Sequence, residues 1–145
     1  MPRNPFKPRQ NKTLYKKLKL KLDQVFSLYI RVRDADSEGL VGCITCPLKK
    51  RIKEMQCGHF QVRKHMATRF HVKNCNGQCG GCNMADGEQK KHGEAIDKKW
   101  GKGTAEEMER LARTELKLNA QDLSEMIELF QKETVELINL KGINL

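Results

Sequence analysis

Two Cys-x-x-Cys pairs, Cys43/Cys46 and Cys79/Cys82, are separated by 32 residues. A two-residue gap lets both thiolates of a pair reach one tetrahedral ion, and two such pairs complete a four-thiolate site. That pattern reads as structural Zn²⁺, because four cysteines leave no open coordination position for water. Cys57 and Cys75 stand outside any such pair; either could replace a presumed ligand, but both read better as small buried hydrophobes. Between the pairs, "MQCGHFQVRKH" carries His59. Asn74 follows, and Asn83 comes directly after Cys82. His59 alone could be a further zinc ligand, a core histidine or a general base, since an imidazole titrates near pH ~6.5. Hydrolysis of a phosphodiester needs a base for water, a cation at the phosphate and relief of charge on the leaving oxygen. A histidine, an amide oxygen and nearby arginines can supply or recruit all three.

The elements that must hold these side chains are legible in outline. The chain has 145 residues, 38% hydrophobic and 6% aromatic, which suits one modest core with helical extensions, helped by something besides burial. Residues 1–12 hold three of the four prolines and several Lys/Arg, and read as a disordered basic arm. Over 13–36, Leu18, Leu22, Val25, Phe26, Tyr29 and Ile30 recur at helical spacing with lysines on the other face, which predicts a basic amphipathic helix. "DADSEGLVGC" echoes a calcium loop, but Thr45 stands where a bidentate acid belongs, so it reads as a turn. Residues 37–103 carry all six cysteines and all four histidines. Thr104 and Glu107 predict a capping box, a helix over "TAEEMERLARTELKL", and then a second helix from Ala120, the two forming a hairpin over 104–145.

A net charge of +10 makes a polyanion the first partner to consider. Lys12, Lys16, Lys17, Lys19 and Lys21 would give salt-dependent affinity without sequence choice. There is no apolar signal-like region and no run of the ~20 apolar residues that a membrane span needs. A reducing cytoplasm is the expected compartment, and there such cysteine pairs bind metal sooner than they oxidise.

The order Cys-x-x-Cys, Gly-His-Phe, then an Asn five residues before Cys-x-x-Cys-Asn resembles the HNH nucleases. The blocks "IRVRDADSEGLVGCITC", "EMQCGHFQVRKHMATRF", "NCNGQCGGCN" and "AIDKKWGKGTAEEMERL" are similar, more closely, to the phage NinG/Rap recombination endonucleases, over about residues 22–130. This resemblance implies an α+β fold, a zinc-stabilised ββα-metal (His-Me finger) domain. It also implies an endonuclease that acts on branched DNA, such as Holliday junctions and D-loops, during phage recombination in a bacterial host. By that pattern His59 is the general base, Asn74 orders the loop beside it, and Asn83 ligates the catalytic metal. The chain departs from the common form at Gly58, where a second ligand usually stands, and at Asn83, which replaces a histidine. Both changes point to weakly held Mg²⁺ or Mn²⁺, with Asp86, Glu88 and His65 as candidates to complete its shell. Arg63, Lys64, His65 and Arg69 would hold phosphates. His71 and His92 read as surface residues. The near two-fold symmetry of a junction makes a homodimer the expected assembly. The competing reading is a zinc-dependent DNA-binding or adaptor module without catalysis, which explains the thiolates and the charge but not the placing of His59 and the asparagines.

Overall fold

The computed structural model describes residues 11–145. Apart from Asn11 and Lys12, the basic arm expected over 1–12 lies outside the described residues. Helix α1 spans Lys12–Asp34 and begins where Asn11 Oδ1 accepts hydrogen bonds from the amides of Thr13 and Leu14. Two short antiparallel hairpins follow. Strands β1 (Leu40–Gly42) and β2 (Lys49–Arg51) pair with Val41 opposite Lys50. Strands β3 (Gln56–His59) and β4 (Cys75–Gln78) pair with His59 opposite Cys75, and a one-turn helix α2 (Met66–Arg69) lies in the loop between them. The chain then runs through α3 (Gly80–Met84), α4 (Gln89–Trp100), α5 (Thr104–Ala112) and α6 (Ala120–Lys141). The fold is therefore mixed α+β with two small sheets. No helix among the described residues is long and apolar enough to cross a membrane.

Three apolar clusters hold these elements. The largest joins Leu22, Phe26 and Ile30 of α1 to Leu123, Ile127 and Phe130 of α6. The few aromatics are concentrated there: Phe26 meets Phe130 and Phe70 edge-on, with centroids 5.0 and 5.7 Å apart. Edge-to-face pairs add to the area they bury, which lets a chain poor in aromatics still build a core. A second cluster gathers Val32, Val41, Ile52, Met55 and Ile143 around the cysteine pairs, and a third joins Phe60 to Ile96, Ala105 and Met108.

The C-terminal helices differ from expectation. They do not form a hairpin: α6 lies along α1, while α5 packs on α4 and α2. The apolar stripes of α1 and α6 cover one another, and Lys141 at the end of α6 donates to the carbonyls of Val32, Arg33 and Ala35, capping the end of α1. The Thr104–Glu107 box is also absent. Gly103, at φ 92°, is the cap instead, and Thr104 Oγ1 turns back to the carbonyl of Gly101. Helix α5 ends at Ala112, short of the Leu118 that periodicity suggested. A reciprocal box forms one helix later, between Asn119 and Asp122 at the start of α6.

Charged side chains tie β4 between α1 and α4. Arg33 donates to the carbonyls of Val72 and Cys75 at 2.7 and 2.8 Å, and Asp34 accepts from the Gly77 amide at 2.8 Å. Lys99 of α4 reaches both Asp34 and Asn76 at 2.9 Å.

Candidate functional site

The four paired cysteines come from two elements. Cys43 and Cys46 lie on the turn between β1 and β2, and Cys79 and Cys82 open α3. Their four Sγ atoms all lie within 4.8 Å of one another, and the Cys46–Cys79 separation is 3.8 Å. A tetrahedron of Zn–S bonds of ~2.3 Å has edges of about 3.8 Å, so the cluster has the size of a zinc site. The donors around it suit thiolates: the Cys79 amide points at Cys43 Sγ (3.3 Å) and the Cys82 amide at Cys79 Sγ (3.5 Å). Burial opposes ionisation of Cys43, but bonds from the Cys79 amide and Thr45 outweigh it and bring this thiol to about 6. At Cys46 the Leu48 amide favours the thiolate, yet desolvation and the three other sulfurs push it up to about 12. Four sulfurs this close cannot all ionise without a cation between them. These residues could hold zinc, as the two-residue gaps suggested.

The cluster also fixes the start of α3, and with it Asn83, whose amide donates to the carbonyl of Cys79 at 2.9 Å. Asn83 Nδ2 donates to Gln56 Oε1 at 2.7 Å, so Oδ1 remains to accept a hydrogen bond or bind a cation.

His59 closes β3. Its Nε2 lies 3.0 Å from the carbonyl oxygen of Arg69. A carbonyl only accepts, so Nε2 carries the hydrogen and Nδ1 the lone pair. Burial lowers the imidazole pKa below its usual 6.5, against the Arg69 carbonyl that supports the cation and with the charge of Arg63 also opposing it. At neutral pH the lowered pKa keeps the ring neutral, with Nδ1 as its free lone pair.

Asn74 has no exposed surface. Its Oδ1 accepts from the Gln61 amide (2.8 Å), and its Nδ2 reaches the carbonyls of Gln61 (3.1 Å) and Thr68 (3.0 Å). One amide side chain thus staples both ends of the loop that presents the Arg69 carbonyl to His59. A residue missed in the sequence supports the same loop from outside. Asp23 of α1 takes the Arg69 guanidinium, with Nε–Oδ1 at 2.9 Å and a second bond from the terminal nitrogen, and Arg69 also donates to the Arg63 carbonyl at 2.9 Å. Both side chains of this pair are mostly buried, at 12% and 14% exposure, so Arg69 is turned inward. Arg63 and Lys64 are exposed on the same loop, and His65 lies half-buried at the start of α2.

His59 and Asn83 share the wall of one cavity of about 980 Å³, together with Asp23, Arg31, Arg63 and Asp86. Lys64, His65 and Glu88 are not among its lining residues. Asp86 sits in left-handed backbone at φ 53°, a conformation that non-glycine residues adopt rarely and often at functional sites. The contribution of α1 was visible only as an oddity: Asp23 is the one acid among the lysines of residues 13–33. Gly58 has a steric reason to lack a side chain, since a Cβ there would overlap the Gln78 side chain. His92 is not a surface residue. It is fully buried, its Nε2 lies 3.2 Å from Asn76 Nδ2, and burial followed by the charge of His59 brings its pKa down to about 4. His71 is half-buried, and its Nδ1 accepts from the Lys73 amide.

No curated protein and no solved structure matches this chain. Residues 3–139, nearly the whole sequence, match the family model described as Bacteriophage Lambda NinG protein. The chain belongs to the phage lambda NinG family.

Proposed function

We propose that the chain is a metal-dependent endonuclease of the HNH (ββα-metal) class that hydrolyses phosphodiesters in branched DNA during phage recombination. The observation that carries this reading is the single cavity wall shared by a neutral, oriented His59 and by Asn83. A zinc-stabilised adaptor needs no such pairing. The strand–strand–helix order of β3, β4 and α3, and the family's phage origin, support it further.

In this reading Nδ1 of His59 takes the proton of the attacking water, while Nε2–H stays on the Arg69 carbonyl and keeps the ring from rotating. Asn74 holds that carbonyl in place from within the loop, and Asp23 holds it through the Arg69 side chain. Asn83 Oδ1 and the Asp86 carboxylate are hard oxygen donors on the same wall, a pair that suits Mg²⁺ or Mn²⁺, which retain several waters. When bound, such an ion stabilises the charge that develops on phosphate and leaving oxygen. Arg63 faces the cavity from an exposed loop and would neutralise a phosphate beside the cut, with Lys64 and His65 on the flanking backbone. Arg69 acts as a positioning residue. The exposed lysines of α1 supply diffuse attraction to the duplex arms, and a homodimer would bring two such sites to one junction.

The test is cleavage of a synthetic four-way junction beside linear duplex of the same sequence, in Mg²⁺ or EDTA, with wild type and His59→Ala. Mg²⁺-dependent cutting of the junction should fall at least ~100-fold in the variant, which still shifts the junction on a gel. Tight binding by wild type with no cutting in Mg²⁺ or Mn²⁺ would hand the protein to the adaptor reading.

A further inference from the structure

Cys57 and Cys75 have no part in the chemistry above, yet they flank its base. Cys57 and His59 are two residues apart on β3 and so share a face of the hairpin, and Cys75 on β4 is paired directly with His59. Both sulfurs and one ring nitrogen of His59 lie within 4.8 Å of one another. Cys57 and His59 also line the large cavity, so the trio opens on one side to solvent. Two thiols and an imidazole form a soft donor set. It selects Zn²⁺ and its neighbours over Mg²⁺, and three such ligands with an open fourth position are a familiar zinc arrangement.

We propose that Cys57, His59 and Cys75 form a second, exchangeable zinc site whose occupation silences the nuclease. The proposal rests on the reading of His59 as the base. A neutral imidazole has one lone pair in the ring plane, on whichever nitrogen lacks the hydrogen. An ion bound at either nitrogen takes that lone pair, and no base is left for water. Binding releases one proton from each thiol, so the ion replaces two S–H bonds with two S–Zn bonds while the imidazole stays neutral. The trio offers three ligands from one hairpin with a side open to the cavity, against four thiols from two separate elements, and this lowers its affinity relative to the four-cysteine cluster. The two sites thereby separate into one that keeps its ion and one that follows the free concentration.

The experiment combines metal binding with cutting. Wild-type protein is equilibrated with excess Zn²⁺ and then with a weak chelator, and its zinc is counted before and after; Co²⁺ is titrated in parallel as an optical probe of thiolate ligation. Wild type should bind two equivalents and keep one. Cys57→Ala, a change at a half-buried position, should bind only one, and should lose the thiolate-to-cobalt charge-transfer band of the second. Cys75→Ala should behave alike. Added Zn²⁺ should inhibit Mg²⁺-dependent cutting by wild type, and in Cys57→Ala the concentration for half inhibition, relative to that variant's own uninhibited rate, should rise more than about tenfold. Loss of an outer-shell partner alone weakens a metal site by ~10–100-fold, and loss of a ligand should exceed that. One equivalent in wild type, or cysteine variants as sensitive to zinc as wild type, overturns the site. Two equivalents in a protein that never cuts DNA would leave the site standing and remove the nuclease reading instead.

Discussion

The molecule carries two cysteine clusters, one nested in sequence between the two halves of the other, and they differ in what surrounds them. Cys43, Cys46, Cys79 and Cys82 converge from two separate elements, with backbone amides of Cys79 and Cys82 turned toward the sulfurs. Such a cluster has all its ligands in hand and joins β1–β2 to α3, so its ion would serve the fold. Cys57, His59 and Cys75 all sit on one hairpin, the first two opening onto the cavity, and join elements already tied by β3–β4 pairing. Any ion there would do little for the fold and much to the imidazole. Ligand types alone do not separate a structural centre from a functional one. Whether the ligands bridge separate elements, and whether one side is open, does.

The largest expected effect tests the first half of that contrast. Cys82→Ser should abolish folding, since structural zinc in small domains is worth roughly 10–16 kcal/mol, comparable to the ~5–15 kcal/mol of a whole domain. Cys57→Ser should melt cooperatively near the wild-type temperature. Circular dichroism melts with zinc analysis would decide it, and a soluble, zinc-free, folded Cys82→Ser protein would break the comparison.

Next comes the scaffold of the open side. Arg69→Ala leaves Asp23 mostly buried without its partner, which should cost roughly 3 kcal/mol in urea unfolding, toward the low end for a broken buried pair. The same substitution should slow junction cleavage through the misplaced carbonyl beside His59. Unchanged stability would show that Asp23 finds water instead.

Acid should loosen the fold through His92 of α4 and His59 of β3. His92 binds its proton at about 4 in the fold and near 6.5 when unfolded, and His59 is also lowered. Between those values the unfolded chain holds more protons than the native one, so stability is full above pH 6.5 and falls as pH drops toward 4. His92 alone should withdraw roughly 3 kcal/mol by pH 4. Denaturant titrations of wild type and His92→Gln across that range should show a shallower slope in the variant; identical slopes would exclude His92 as the source. For the same reason, the acid limb of the cleavage profile should turn below pH 6.5.

The smallest effect separates the two arginines of one loop. Arg63→Ala should weaken junction binding only a few-fold at low salt, while lowering the slope of log affinity against log salt by about 0.9 for one phosphate contact. Arg69→Ala should leave that slope alone. Equal slopes for the two would mean that both arginines reach the backbone, or that neither does.

Much of this was legible before the fold. Ligand spacing is a local property: two residues between cysteines fix how two sulfurs can meet, and that geometry was realised at all four. Helix α1 was legible because its apolar period is long and uninterrupted. Other features failed for a physical reason. Periodicity shows that a helix has an apolar face but not what covers it, so α5 and α6 read as a hairpin although α6 lies against α1. His92 looked exposed because its neighbours in sequence are lysine, glutamate and glycine, whereas Asn76 of β4 and Phe60, just past β3, which surround it, come from other segments. Arg69 read as a phosphate ligand because nothing local shows that Asp23, 46 residues away, takes its charge. The sequence by itself determined the spacing of the paired cysteines, the charge and the first helix. The pairing of β3 with β4 and the laying of α1 across them decided the rest: which histidine meets the cavity, which arginine is spent inside, and which two spare cysteines stand beside His59. Those are contacts between segments, and only chain closure sets the distance between them.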